Sequence, residues 1–176
     1  MTAVILVRQA TTSDAGEVAD ILEEASRWLE ARGETMWVAG ELDRGRIEAE
    51  VTTGAYFVAI VGERAAGIVR FQLDDREFWP DLPADHASAF VHRLAVRRQF
   101  AGCGVSHALL AWSANHAREL GRTSLRLDCD VTRMSLRQLY ERFGFRYHSE
   151  RRVGPYHVAR YALALNGLEG RERQEG

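Results

Sequence analysis

Little in this 176-residue chain could brace it from outside an ordinary core. It has two cysteines, Cys103 and Cys129, too few for a disulfide framework and without the clustered His or Cys spacing of a zinc site, so both are read as reduced thiols. Its three prolines and 15 glycines exclude a collagen-like or low-complexity polymer. No apolar run approaches the roughly 20 residues that cross a bilayer, because Arg, Asp or Gly interrupts the longest ones. The start, MTAVILVRQATTSDAGEVAD, lacks a basic leader before its short apolar run and a small-residue cleavage site after it, so it is not read as a signal peptide. A cytoplasmic chain is expected, with no membrane partner. Net charge is scarce too: 23 basic against 25 acidic side chains leave −2, which gives no bulk attraction to nucleic acid or anionic lipid. What the chain does have is a hydrophobic fraction of 46% with 27% charged residues, a mix that buries a core in one domain of ordinary length.

Periodicity divides that domain into alternating elements. A strand is expected over residues 3–8. Thr12 to Asp14 then offers N-cap chemistry for a helix to about Arg32, with Val18, Ile21, Leu22, Ala25, Trp28 and Leu29 at helical spacing. A weaker helix follows over Gly40–Thr52, and then strands 55–61 and 65–73 around the turn Gly62-Glu63-Arg64. Residues 74–85 are rich in Asp and Pro and read as a long loop. Beyond it come strand 89–97, helix 104–120, strand 124–130, helix 133–143 and strands 145–150 and 156–165. In helix 104–120, Val105, Ala108, Leu109, Trp112, His116 and Leu120 are expected on one face. A helix between strands 89–97 and 124–130 makes a right-handed crossover and forces them parallel, while the hairpins elsewhere are antiparallel.

The segment from Leu94 to Leu110 is the most informative, a strand that runs through glycines into an amphipathic helix. The first amides of a helix point outward without intrahelical acceptors, the dipole adds partial positive charge, and glycines let phosphate oxygens approach. Arg97 and Arg98 are expected to raise the local potential. The Walker pattern is absent, and His107 occupies the third glycine position of a dinucleotide fingerprint.

With the order of elements, this segment resembles the GCN5-related N-acetyltransferase (GNAT) family over nearly the whole chain, from about residue 3 to 165. The family's loop reads Gln/Arg-x-x-Gly-x-Gly/Ala, and the matching window is Ala101-Gly102-Cys103-Gly104-Val105-Ser106, followed by His107. Gly104 fits, whereas Ala101 replaces Arg or Gln and Ser106 replaces Gly or Ala, with weaker CoA binding as one consequence. The family's Leu-x-Val strand end is Leu94-Ala95-Val96, which the resemblance assigns to pantetheine pairing, the Val96 amide polarising the thioester carbonyl. Its Asn-x-x-Ala-x-x-Leu-Tyr-Glu-x-x-Gly-Phe appears as Arg133 to Phe145, with Arg133 in place of Asn and free to contact a CoA phosphate, and Leu136 in place of Ala. The resemblance implies an α+β fold, three layers α/β/α around a mixed, mostly antiparallel sheet of about seven strands splayed between the fourth and fifth. It also implies one acetyltransferase domain over residues 1–165 with a flexible tail over 166–176, acetyl-CoA as cosubstrate, no metal, and a homodimer as one assembly option.

Tyr140 is the expected proton donor to the leaving thiolate; packing near Phe143 and Phe145 is the plainer reading. His92, which strand alternation would put on the face of Leu94 and Val96, and Asp128 are the base candidates. A hydrogen-bonded core histidine and an aspartate serving loop amides are their structural alternatives. Trp28, Trp37 and Trp79 lie where family members line the acceptor pocket, and Trp79 among Asp74, Asp75, Glu77, Asp81 and Asp85 would suit a cationic amine. The expectation is direct acetyl transfer to a small-molecule primary amine in a ternary complex, without nucleic acid as a partner. Cys103 is the nucleophile of a ping-pong route. A peptide acceptor and a non-catalytic acyl-CoA sensor are the other readings.

Overall fold

The computed structural model describes residues 4–165, so the expected tail over 166–176 lies outside the described residues. Seven strands and four α-helices follow in the order β1 (Ile5–Gln9), α1 (Ala15–Glu30), α2 (Arg44–Thr52), β2 (Tyr56–Val61), β3 (Arg64–Gln72), β4 (Ser88–Val96), α3 (Val105–Glu119), β5 (Ser124–Asp130), α4 (Met134–Phe143), β6 (Arg146–Val153) and β7 (Tyr156–Ala164). The strands run β1-β2-β3-β4-β5-β7-β6, with β4 and β5 parallel and the pairs β1–β2, β2–β3, β5–β7 and β6–β7 antiparallel. The expected mixed α+β sheet is therefore present. Parallel pairing spans only Ser88–Phe90 against Ser124–Arg126, although β4 continues to Val96. No described helix is long and apolar enough to cross a membrane.

The chain groups into two compact units, one up to Phe71 together with Val91–Trp112, the other of Gln72–Phe90 with the residues from Ser113 on. In the first, the apolar stripe of α1 buries Val18, Ile21 and Leu22 against Ile47 and Val51 of α2 and against Tyr56, Val58 and Ile68 of β2 and β3. Each such side chain removed from water contributes about 1.5–3 kcal/mol. α2 starts four residues later than the sequence suggests. Gly40 lies in a left-handed turn with φ +83°, and the Asp43 carboxylate, accepting from the Arg46 amide at 3.0 Å, caps the helix there. Gly67 lets β3, β4 and α3 come close: a Cβ there would sit 2.8 Å from the Ala95 carbonyl and 2.9 Å from Val105 Cγ1.

The second unit is built on the antiparallel ribbon β5–β7–β6, whose alternation gives it two chemically different faces. Leu125, Leu127 and Cys129 of β5 are buried, and Leu127 is paired across the ribbon with Tyr161, whose hydroxyl donates to Glu141 of α4 at 2.9 Å and accepts from Arg137 at 2.9 Å. The opposite face carries Ser124, Arg126, Asp128 and Asp130, with Asp128 paired to Arg160. The loop between β3 and β4 folds onto this second face by burying Trp79.

Candidate active site

The glycine turn lies in the first unit. After a single 3-10 turn at Arg98–Phe100, Gly102 and Gly104 take φ of +76° and +83°, conformations that a side chain would strain. Ala101–Gly104 are exposed while Val105 is buried and anchors the start of α3. The Ala108 amide donates to the Gly104 carbonyl at 3.0 Å, so the helix ladder begins there and the first amides of α3 are the outward-pointing set of a helix start, whereas the Ala101 and Cys103 amides are taken within the turn by the Arg98 and Phe100 carbonyls at 3.1 and 3.2 Å.

The charge around this turn differs from the sequence expectation. Arg97 donates from all three guanidinium nitrogens, Nη1 to Glu24 at 2.8 Å, Nη2 to Glu17 at 2.5 Å and Nε to the Ala65 carbonyl at 3.2 Å, and its charge is spent inside the unit. Glu24 also accepts from the Arg98 amide at 2.8 Å. Arg98 stays exposed, stacked on Trp28 at 4.2 Å with Arg32 on the same indole at 4.7 Å, and Arg64, also exposed, lies over the Phe100 ring at 5.9 Å. Trp28 thus serves the turn side of the unit as a platform for arginines, whereas Trp37 packs half-buried on the α1–α2 core. Sequence spacing missed the Glu17–Glu24–Arg97 set, because α1 and β4 are distant in the chain.

β4 carries His92, Leu94, Ala95 and Val96 past the point where its pairing with β5 stops. Arg93 has φ +52°, a left-handed residue inside the strand, so two-residue alternation breaks between His92 and Leu94 and no longer places them on one face. Its guanidinium is buried and donates to Glu50 at 2.6 Å and to the Tyr56 hydroxyl at 2.6 Å. Burial opposes ionisation of Glu50, but the Arg93 and Arg70 charges and hydrogen bonds from Tyr56 and Arg46 overcome it and hold this carboxyl below its usual range. Burial pushes Tyr56 up to about 12.

In the second unit, Tyr140 of α4 packs its ring against Phe145 and Tyr161 with centroids 6.0 and 6.2 Å away. Burial, followed by the nearby Cys129 and Asp128, raises its hydroxyl well above the usual tyrosine value, so the group stays protonated. That hydroxyl makes no hydrogen bond among the described residues. Cys129 is likewise pushed up by burial, to about 12, and is an inert packing thiol. The turn before α4 is shaped by Asp130, which accepts from the Thr132 amide at 2.8 Å; Arg133 occupies the N-cap, and its charge is felt at both Cys129 and Tyr140. Asp128 lies between Leu127 and Cys129 on the other face of β5.

Trp79 is buried at 1% exposure, with the Arg126 and Arg160 guanidinium groups over its ring at 4.8 and 4.5 Å. The ring positions expected for a substrate cation are thus filled from within. The acidic loop is also committed internally: Asp74 pairs with Arg76 at 3.1 Å, Asp75 accepts from the Phe78 amide at 3.0 Å, Asp81 pairs with Arg160 at 2.6 Å, and Asp85 accepts from the Ala87 amide at 3.0 Å. The hydrogen bonds from Arg160 hold Asp81 down at about 2.

Comparison with known proteins identifies the family and the fold. The sequence profile of the Acetyltransferase (GNAT) family matches residues 18–145. An uncharacterized N-acetyltransferase of Bacillus subtilis (strain 168), YesJ, is 30% identical over 156 residues, 85% of either chain. An acetyltransferase of the GNAT family from Listeria monocytogenes superposes with a TM-score of 0.76 at 25% identity, over 93% of this chain and 98% of that one. Salmonella typhimurium yncA, solved with its cofactor acetyl-CoA, superposes with a TM-score of 0.72 at 15% identity, over 94% of this chain and 96% of that one. This chain belongs to the GNAT family of acetyltransferases.

Proposed function

We propose that this protein moves the acetyl group of acetyl-CoA to a primary amine of a small molecule by direct attack in a ternary complex. The observation that carries the reading is Tyr140, a ring fixed in an aromatic cluster with a protonated hydroxyl unspent on any acceptor among the described residues. The glycine turn supports it from the cofactor side. The amides at the start of α3, approached past Gly102 and Gly104 with their positive φ, suit the pyrophosphate; Val105, Ser106 and His107 belong to that run, Ala101 and Cys103, whose own amides are taken by the Arg98 and Phe100 carbonyls, shape the turn, and Arg98 is an exposed cation beside it. Leu94, Ala95 and Val96 offer strand backbone to the pantetheine arm, the Val96 amide serving the thioester carbonyl. Arg133 serves a CoA phosphate.

The two faces of β5 divide the chemistry. Tyr140 stands over the Cys129 face and supplies the hydrogen bond and proton that the departing sulfur needs. Asp128 points to the opposite face, where it takes the proton that an amine, with a reference pKa near 10, must lose before it attacks. His92 is the other base candidate. A CoA-release assay across a panel of amines tests the proposal. Tyr140→Phe is expected to lower kcat by about 10²–10³-fold with little change in KM for acetyl-CoA. Binding of CoA without Tyr140-dependent release from any amine overturns it.

A further inference from the structure

Arg126 and Arg160 flank the same indole, yet their partners differ sharply. Arg160 is saturated: Nη1 and Nη2 donate to Asp81 at 2.6 and 3.2 Å, Nη1 also to the Phe78 carbonyl at 3.1 Å, and Nε to Ser149 at 2.9 Å. Arg126 donates only from Nε, to the Ser88 hydroxyl at 3.0 Å, while its Nη1 is buried without an acceptor and it forms no ion pair among the described residues. The indole Nε1–H of Trp79 is buried and unpaired as well. Two neighbouring donor atoms, Arg126 Nη1 and Trp79 Nε1, are therefore buried without an acceptor among the described residues, while the Arg126 side chain as a whole is half-buried. A buried donor left without an acceptor is destabilising, and a ligand that accepts from it removes that cost. Burial first, and then the charge of Arg160, lowers the Arg126 pKa from its ordinary value, and an anion is what relieves both effects.

Arg126 is two residues from Asp128 on the same face of β5, a spacing of about 7 Å along a strand. Trp79, Ser88 and Phe90 border an open pocket that the β3–β4 loop lines with Asp75, Leu82 and Asp85. We infer that the acceptor is an amine that also carries a carboxylate, a small amino-acid-type molecule whose anionic group is received by Arg126 Nη and the Trp79 indole N–H while its amine is presented toward Asp128. This inference rests on the acetyltransferase reading and names its substrate class. Arg126 is a specificity-determining residue, distinct from the groups that move protons.

The test uses free amino acids, the amines left by removing their carboxylate, and aminoalkylphosphonates of matching length. Calorimetric titration of these compounds into the CoA-loaded protein reads the anion site without turnover. Amino acids are expected to bind and their decarboxylated amines not. Arg126→Gln is expected to weaken amino-acid binding by about 10–100-fold, the range of one charge-assisted hydrogen bond. Arg126→Lys recovers part of the loss, and Trp79→Phe, which keeps the ring and removes the N–H, loses less. Phosphonates binding in place of carboxylates, decarboxylated amines binding as well as the acids, no binding by any amino acid, or unchanged binding in Arg126→Gln each overturn the inference. CoA release on the same panel decides the acetyl-transfer reading separately. Transfer to amines lacking an anion, untouched by Arg126→Gln, leaves that reading standing and sinks this one.

Discussion

At the scale of single residues, the side chains that matter most are held by partners far away in the chain. Arg93 joins a strained backbone, φ +52°, to a buried bond with Glu50. Removing one member of such a pair leaves the other charge buried, so Arg93→Ala is expected to destabilise the protein by about 3–5 kcal/mol, read by denaturant unfolding. The acid dependence follows from Glu50, whose folded pKa is lowered. Its contribution is complete above the unfolded carboxyl pKa and is lost as pH falls through the lowered folded value. Glu50→Gln should therefore lose less stability on acidification than the unsubstituted protein, measured from unfolding at a series of pH values. Tyr140 sets the opposite limit: its hydroxyl, raised above the ordinary value of 10.0, keeps its proton, so no alkaline loss of kcat is expected from it up to about pH 9. An alkaline limb below that pH that vanishes in Tyr140→Phe would contradict this. Tyr140 was legible in the sequence because its motif is local. Arg126, Arg93 and the Glu17–Glu24 clamp on Arg97 were not, since charge pairing between distant segments leaves no periodic trace.

At the scale of elements, periodicity located all seven strands and four helices, and the misses have specific physical causes. The apolar stripe of α3 turns toward Leu110, Ser113, Ala114 and Ala117, and Leu120, expected on the buried face, is exposed. Ser113 and the two alanines pass unnoticed in a hydrophobic count, yet small residues are what let a helix lie close to its neighbours. The left-handed backbone of Arg93 defeated alternation in β4, because a left-handed Arg has no sequence signature comparable to glycine. Two glycines provide tests. Gly67→Ala would drive a Cβ to 2.8 Å from the Ala95 carbonyl, and overpacking of this kind is expected to cost about 1–3 kcal/mol in denaturant unfolding. Gly104→Ala meets no close neighbour but must hold φ +83°, a strain of about 1–2 kcal/mol placed on the turn itself. Its expected signature is a rise of about 10-fold in KM for acetyl-CoA with the acceptor KM little changed. An equal rise in both constants would show a general loss of structure instead.

Across the whole molecule, the near-zero net charge conceals a one-sided choice: all 23 basic side chains are arginine, and the chain contains no lysine. Arginine keeps its charge when buried and satisfies carboxylates through a planar fork, as Arg93, Arg97 and Arg160 do here. The choice also bears on how the acetyl group travels. An acetylated-enzyme intermediate needs a nucleophile, and with no lysine amine the thiols are the residues to consider. Cys129 is buried and pushed up to about 12, which leaves Cys103, exposed in the glycine turn. The proposed direct route predicts that acetyl-CoA without an acceptor leaves the intact mass of the protein unchanged, and that Cys103→Ser turns over amines at close to the original rate. A one-acetyl mass increase on Cys103 that an amine discharges, together with loss of turnover in Cys103→Ser, would require a covalent intermediate and reassign the turn from holding the pyrophosphate to carrying the acetyl group.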